Sequence, residues 1–450
     1  MARFDEYFAS LRDKRIAVLG LGVSNRPLVR LLLQYGCKVT GCDRTPREKL
    51  DAEVLELEKA GCSLSLGEGY MDNVEAELVF RTPGMHPDHP GIRALRQRGA
   101  TVTSEMDVFF SLCPCRIIAV TGSDGKTTTT SLIAAMLRAA GRKVWLGGNI
   151  GTPLLTSCPE IDGDDIAVVE LSSFQLLDMT HSPQVAVVTN LAPNHLDVHK
   201  DMAEYVWAKE NIFRFQTAAD TLILNADNAI TDGFSGVAKT KRFSRLGREV
   251  ACRVENGVIR VDGRDVLLCG DILLPGVHNI ENYMAAILAV DGLVDDDTIR
   301  STARTFGGVP HRIELVREWN GIRFYNDSIA SSPSRTISGL NSFSDKVVLI
   351  AGGYDKNIPY DELGPVICRC VKKLFLNGPT ATKIRAAVEC CGLPAPEMVD
   401  CAGFENAVRA AAAGAEPGDV VLMSPASASF DQFKNFEQRG NSFKKIVMEL

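Results

Sequence analysis

The chain has 450 residues, 45% of them hydrophobic and 23% charged, a balance that suits a water-soluble globular protein of about three domains. Its formal net charge of −7 supplies no general electrostatic pull toward nucleic acid or an anionic membrane. No run of about 18 apolar residues offers a membrane span, and the charges scattered through residues 1–13 leave no apolar signal-peptide core, so a cytoplasmic protein with no nucleic-acid or membrane partner is expected.

A first apolar strand is expected over 16–19, followed by the turn Gly20-Leu21-Gly22 and a helix to Gln34. Gly36 stands where a helix C-cap glycine belongs, and a strand over 38–40 leads to Asp43. This is a βαβ unit of the doubly wound kind, and its α/β alternation continues to about residue 104. A second unit opens with a strand over 116–120, a glycine-rich turn and a helix from Lys126 to Ala140; further strands are expected over 166–169, 185–189 and 221–224. Between 250 and 274, short alternating segments are broken by Glu255-Asn256-Gly257 and Asp262-Gly263-Arg264, the turn chemistry of hairpins at the edge of a parallel sheet. Gly307-Gly308-Val309-Pro310 reads as a linker. Strands over 322–325, 347–350, 374–376 and 420–423 and a helix over 431–448 then restore the βα rhythm. Thirteen cysteines are scattered throughout; the close pairs Cys113/Cys115, Cys368/Cys370 and Cys390/Cys391 lack zinc-site spacing and read as buried thiols in a reducing cytosol.

Thr121-Gly122-Ser123-Asp124-Gly125-Lys126-Thr127-Thr128 lies between a strand and a helix, where a phosphate site belongs. Glycines let backbone N–H groups wrap the phosphates, the helix N-terminus adds partial positive charge, and Lys126 adds a full one. The Thr127 hydroxyl is of the type that ligates Mg²⁺. The first glycine of a full phosphate-loop pattern is replaced by Val120, leaving Gly-x-x-Gly-Lys-Thr. Glu170 ends an apolar strand at its carboxyl end, a favoured place for a site residue. In the first unit, Gly20-Leu21-Gly22-Val23-Ser24-Asn25 lacks the third glycine of a dinucleotide fingerprint, which weakens an NAD reading.

The loop around Lys126 resembles the ATP loop of Mur ligases. Further landmarks follow in that family's order: Gly148-Asn149-Ile150-Gly151, Glu170-Leu171-Ser172-Ser173-Phe174-Gln175, Thr189-Asn190-Leu191 through His195-Leu196-Asp197, Lys209, Asn225-Ala226-Asp227, Pro275-Gly276-Val277-His278-Asn279 and Pro310-His311-Arg312. The stretch from Ser424 to Gly440 is similar to the D-glutamate-adding branch in particular.

The resemblance implies three domains: a Rossmann-like UDP-binding domain at 1–104, a central P-loop-type ATPase domain with a mostly parallel sheet at 105–308, and a Rossmann-like amino-acid-binding domain at 309–450. It implies a monomer that uses ATP and two Mg²⁺ ions to join UDP-N-acetylmuramoyl-L-alanine to D-glutamate through an acyl phosphate. Catalytic roles then fall to Lys126, Glu170, His195 and Lys209, the last as a carbamate derived from CO₂. Thr127, Glu170, His195 and Lys209 become ion ligands. ATP contacts fall to Gly122, Ser123, Asp124, Gly125, Lys126, Thr127, Thr128, Asn279, Asn282, Arg312 and Asp327. The UDP-substrate is assigned Val23, Ser24, Asn25, Asp43, Arg44, Thr82, Pro83, Gly84, Asn149 and His195. D-Glutamate is assigned Ser331, Lys356, Ser429 and Phe436.

One departure stands out. Many family members have Asp-Ser-Lys-Ala-Thr where this chain has Asp327-Ser328-Ile329-Ala330-Ser331, and Ile329 supplies no charge; Arg335 and Lys356 are the candidates to replace it. Three rival readings stay open on the sequence: a Mur ligase adding another amino acid, a folylpolyglutamate synthase-like ligase, whose loop typically reads Gly-Lys-Gly rather than Gly125-Lys126-Thr127, and a nucleotide-binding scaffold, which has no need of Glu170, His195 and Lys209 together.

Overall fold

The computed structural model describes residues 2–22, 24–193 and 198–450; Val23 and the segment 194–197, with His195 in it, lie outside the described residues. The chain forms two compact units, one from Met1–Cys269 and Glu281–Thr302, the other from Gly270–Ile280 and Ala303–Leu450.

The first unit holds two sheets. One is five-stranded and wholly parallel, in the spatial order Ser63–Leu66, Lys38–Asp43, Arg15–Leu19, Leu78–Arg81, Thr101–Thr103. The order reverses beside Arg15–Leu19, which opens a crevice at the carboxyl ends of these strands, the usual ligand position in doubly wound folds. The other sheet has nine strands: Arg264–Leu268, Val258–Val261, Cys252–Glu255, Lys239–Ser244, Thr221–Asn225, Val185–Val188, Arg116–Thr121, Ile166–Glu170 and Val144–Gly148. Its six strands from Lys239–Ser244 to Val144–Gly148 are parallel, and the central ones are covered on both faces; Ile117, Ile118, Ala119 and Val120 are all buried. Double coverage is why these strands read as continuous apolar runs.

The expected edge hairpins form by the expected chemistry. Asn256 and Gly257, and Asp262 and Gly263, all take positive φ, and the flanking pairs Glu255–Val258 and Val261–Arg264 close two-residue loops.

The second unit carries a six-stranded sheet, ordered Glu314–Trp319, Ile322–Asn326, Val420–Met423, Val347–Ala351, Val371–Leu376, Glu397–Asp400. Only Glu314–Trp319 is antiparallel to its neighbour. The last helix starts at Phe436 rather than at 431, because the Asn435 side chain caps it by accepting from the Gln438 N–H at 2.8 Å. Short strands at Val144–Gly148, Glu314–Trp319 and Glu397–Asp400 add to those expected from sequence.

Candidate functional site

The strand Arg116–Thr121 delivers the chain into the phosphate loop, and the helix Lys126–Ala139 receives it. Gly122 has φ +150°, and a Cβ there would overlap the Thr189 hydroxyl. Gly125 has φ +76°, and its Cβ would stand 2.3 Å from Asn282 Oδ1. Both positions therefore exclude a side chain on two counts, conformation and space. The loop is also held by hydrogen bonds from outside. Ser123 N–H donates to Asn190 O at 2.9 Å, Asp124 N–H to Asn190 Oδ1 at 3.0 Å, and Thr189 Oγ1 to Asp124 O at 2.6 Å. The Lys126 ammonium donates to the loop carbonyls of Gly122 and Ser123 at 3.0 and 2.8 Å. Thr127 is buried behind it, and Thr129 Oγ1 donates to Asn282 Oδ1 at 3.2 Å.

Glu170 ends its strand directly across from Val120 on one side and Gly148 on the other. It is 1% exposed; Oε1 accepts from Asn149 Nδ2 at 2.7 Å, while Oε2 is buried with no hydrogen-bond partner. Such an atom is costly unless a cation or donor satisfies it.

Lys209 sits on the helix Met202–Arg214 and is only 2% exposed. Its Nζ donates to Gly122 O at 2.8 Å and Thr121 Oγ1 at 3.1 Å, above the Tyr205 ring. Burial, reinforced by the nearby Lys126 charge, lowers its pKa well below the usual lysine value, against the opposing pull of Glu170 and Asp124. The structure thus brings Lys126, Thr127, Asn149, Glu170, Lys209 and Asn282 to one end of the nine-stranded sheet. His195 and Val23 lie outside the described residues. Tyr205, whose hydroxyl is 2.9 Å from Ser123 Oγ, belongs to the same cluster; in sequence it reads as one more apolar position of its helix.

At the carboxyl end of the five-stranded sheet, Ser24, Asn25, Asp43, Arg44 and the Thr82-Pro83-Gly84 turn are neighbours of the crevice. Asn25 is committed to the protein: it is buried, and its Nδ2 donates to Gly20 O at 2.8 Å and Leu19 O at 3.2 Å. Asp43 accepts from the N–H groups of Leu21 and Thr45 at 2.8 and 2.9 Å; burial opposes its charge, but these bonds prevail and its carboxyl titrates below the usual range. Ser24 and Arg44 are exposed.

In the second unit, Asp327 follows the strand Ile322–Asn326 and is buried. Burial pushes its carboxyl up to about 7, against hydrogen bonds from Ser424 Oγ at 2.7 Å and Ile313 N–H at 3.3 Å. His311, with φ +65°, accepts at Nδ1 from Asn326 Nδ2 at 2.9 Å and meets the Phe436 ring edge-to-face. Ser429 is buried, Ser331 partly so, and Lys356 is exposed with its ammonium 5.9 Å from the Phe430 ring. Arg439, quoted in the C-terminal motif without a role, is a fully buried guanidinium that donates to Ser328 Oγ and to the carbonyls of Ser328, Ser427 and Ala428. Asn279 donates to Pro275 O at 2.6 Å in the segment preceding its helix. Arg312 lies just before the strand Glu314–Trp319.

Residues 120–290 match the model of the Mur ligase middle domain, and residues 311–427 that of the Mur ligase glutamate ligase domain. The chain belongs to the Mur ligase family, whose α/β architecture it has. Its relatives include proteins named UDP-N-acetylmuramoylalanine–D-glutamate ligase: that of Acetivibrio thermocellus is 54% identical over 99% of this chain and 98% of its own length. Those of Ruminiclostridium cellulolyticum and Clostridium botulinum are 47% and 46% identical, each over 100% of this chain and 99% and 100% of their own. Among solved structures, the UDP-N-acetylmuramate–alanine ligase of Thermotoga maritima superposes with a TM-score of 0.58 at 17% identity, covering 97% of this chain and 99% of that one. A UDP-N-acetylmuramoyl-L-alanyl-D-glutamate–2,6-diaminopimelate ligase gives 0.57 at 17% identity over 98% and 94%. These two establish the fold. No helix among the described residues is long and apolar enough to cross a membrane.

Proposed function

We propose that this chain is an ATP-dependent ligase of peptidoglycan precursor synthesis, joining the amine of D-glutamate to the alanyl carboxylate of UDP-N-acetylmuramoyl-L-alanine. The observation that carries the reading is identity of 46–54% along the full chain to relatives bearing that activity in their names. The reading takes residues 1–104, 105–308 and 309–450 as domains for the UDP-substrate, ATP and amino acid, and the enzyme as a cytoplasmic monomer.

The chemistry explains the site. A carboxylate is a poor electrophile, so an alanyl carboxylate oxygen first attacks the γ-phosphorus of ATP and ADP leaves. The amine then attacks the acyl carbon, the tetrahedral intermediate collapses, inorganic phosphate leaves, and the amine nitrogen loses a proton. Several negative charges must be held together throughout, a task of positioning and electrostatic stabilisation. Lys126 and the N–H groups from Gly122 to Thr128 hold the ATP phosphates. Asn279, Asn282, Arg312 and Asp327 complete the nucleotide contacts. Val23, Ser24, Asn25, Asp43, Arg44, Thr82, Pro83, Gly84, Asn149 and His195 serve the UDP-substrate, with Asn25 acting by shaping its loop.

A divalent cation fits the residues present: the partnerless Glu170 Oε2 is a hard oxygen donor in a buried place, and Thr127 offers another. When bound, Mg²⁺ supplies charge neutralisation at the phosphates, and Thr127, Glu170, His195 and Lys209 would hold two such ions. Lys209 suits carbamylation, because burial keeps its amine in the neutral, nucleophilic form. The Nζ lone pair of the neutral amine bonds to the carbon of CO₂ and an N–H proton leaves, converting a buried neutral amine into an oxygen-donor anion. A ¹³C-bicarbonate-derived carbamate resonance that vanishes in Lys209→Met tests this. D-Glutamate is assigned Ser331, Lys356, Ser429 and Phe436.

The decisive experiment measures phosphate release with Mg-ATP and UDP-N-acetylmuramoyl-L-alanine, offering D-glutamate, L-glutamate, L-lysine and meso-diaminopimelate in parallel. Release that depends on D-glutamate is expected, with a product heavier by one glutamyl residue; release with none of the four, from folded nucleotide-bound protein, overturns the reading.

A further inference from the structure

The loop after the strand Leu78–Arg81 is clamped at two points to segments far away in the chain. The inner clamp is Arg81. Its side chain is fully buried, pairs through both Nε and Nη2 with the carboxylate of Asp178, and donates to Phe174 O at 3.1 Å. The same guanidinium holds the loop itself, through Thr82 O at 3.1 Å, Pro83 O at 3.3 Å and Met85 O at 2.6 Å. One cation thus fixes the path of Thr82-Pro83-Gly84-Met85 against the segment that follows Glu170.

The outer clamp is Glu204, in the first turn of the helix that carries Lys209. Its carboxylate gathers His86 Nε2 at 3.3 Å, the Lys200 backbone N–H at 2.9 Å and the Lys200 ammonium at 3.2 Å, and it lies 3.6 Å from His199 Nδ1. Lys200 also pairs with Asp88. His199 is itself buried, stacked on Phe174, with Nε2 at 2.9 Å from Ser173 Oγ. A carboxylate surrounded by this many donors stays charged: burial opposes ionisation, but the Lys200 and His86 contacts prevail and lower its pKa.

We infer that Arg81 and Glu204 are positioning residues for the ligase reaction, which set the 82–88 wall of the uridine-nucleotide pocket against Phe174 and Asp178, in the segment after Glu170, and against the start of the helix Met202–Arg214. Neither touches the reacting atoms. Their effect is on where the bound nucleotide, and hence its tethered carboxylate, is held relative to the phosphate loop. A misplacement of about 1 Å costs on the order of 10²-fold in a reaction that depends on positioning. The inference rests on the ligase reading above.

The test compares wild type with His86→Ala, Glu204→Ala, Glu204→Gln and Asp178→Asn. The readouts are kcat, which a misplaced carboxylate should lower, calorimetric binding of UDP-N-acetylmuramoyl-L-alanine, and the separate KM values for that substrate and for ATP. Glu204→Ala is expected to raise the Kd and KM for the UDP-substrate about tenfold while the KM for ATP stays within twofold. Glu204→Gln, which keeps an acceptor for the Lys200 N–H, should recover part of the loss, and His86→Ala should shift the same constants less. Asp178→Asn, which weakens the inner clamp, should add to His86→Ala on the UDP-substrate constants only. Unchanged UDP-substrate constants in His86→Ala and Glu204→Ala overturn the inference, as do equal rises in both KM values, the mark of a merely structural role. Should Glu204→Ala fail to fold, His86→Ala, a partly exposed trimming, decides alone. A wild-type enzyme without D-glutamate-dependent turnover overturns the ligase reading itself; an active wild type whose variants do not separate the two substrates overturns only this inference.

Discussion

The phosphate-loop end of the nine-stranded sheet and the serine-rich end of the six-stranded sheet both lie where parallel strands stop, yet they place their candidate ligand-side cations differently. In the first, Glu170 and Lys209 are buried, one with a partnerless oxygen and the other with its pKa driven down. In the second, Lys356 and Arg335 are exposed, while the buried cation Arg439 is spent on backbone carbonyls. Dehydrated charges interact strongly and exposed ones are screened. Substitutions at the first end should therefore act on the chemical step, and those at the second on binding of one substrate.

The sharpest way to break this contrast is Glu170→Gln. The amide keeps the size and the contact with Asn149 but removes the charge an ion would meet. Turnover should fall on the order of 10³-fold, the scale for losing one preorganised electrostatic group, across a Mg²⁺ titration of phosphate release. A loss under about tenfold would be too small for such a group and would remove Glu170 from the ion site.

Burial alone does not make an acid functional, and Glu105 sharpens that side of the comparison. It is buried, accepts one hydrogen bond from Leu155 N–H at 2.9 Å, and burial pushes its carboxyl up to about 7. A folded-state pKa raised above the unfolded value means that the favourable contribution is full below about 4.5 and is lost as pH rises through about 7. Glu105→Gln carries no such penalty and should gain stability over wild type as pH is raised from 5 to 8, by at most about 3 kcal/mol. Denaturant melts at the two pH values check it; an equal difference at both would show that Glu105 does not titrate in this window. Asp327, also at about 7, contributes to both proteins alike and cancels in the difference.

Local rules made part of the molecule legible in the sequence. The Asn256-Gly257 and Asp262-Gly263 turns, the apolar strand before Gly122 and the helix after Lys126 follow from turn chemistry and periodicity. The apolar pattern, which Phe433 continues, places the start of the last helix too early, whereas the cap is Asn435. The burial of Lys209 is not legible from its own helix, where a lysine reads as solvated; it arises from a loop more than 80 residues earlier in the chain, where Gly122 O accepts a hydrogen bond from Nζ. The contact of His86 with Glu204 spans 118 residues and has no local signal at all. Recognition of the family motifs supplied roles that spacing could not.

The smallest expected effect concerns Ile329, where the family resemblance leads to the expectation of a lysine. Its side chain offers no charge, but its carbonyl oxygen accepts from Arg335 Nη1 at 3.1 Å, and Arg335 lies in the first turn of the helix Pro333–Leu340. The guanidinium is thus held beside residue 329 by a backbone group that any residue there would provide. Its field also reaches Asp327, lowering that acid's pKa against the larger effect of burial. Arg335→Ala should raise the KM for D-glutamate about fivefold to tenfold, the low end for a charge-assisted contact because the group is exposed, with kcat and the KM for ATP nearly unchanged. Adding Ile329→Lys to Arg335→Ala should restore most of the affinity if one cation is what the carboxylate needs. An unchanged KM in Arg335→Ala would reject compensation by this residue and leave Lys356 as the cation that holds the amino acid.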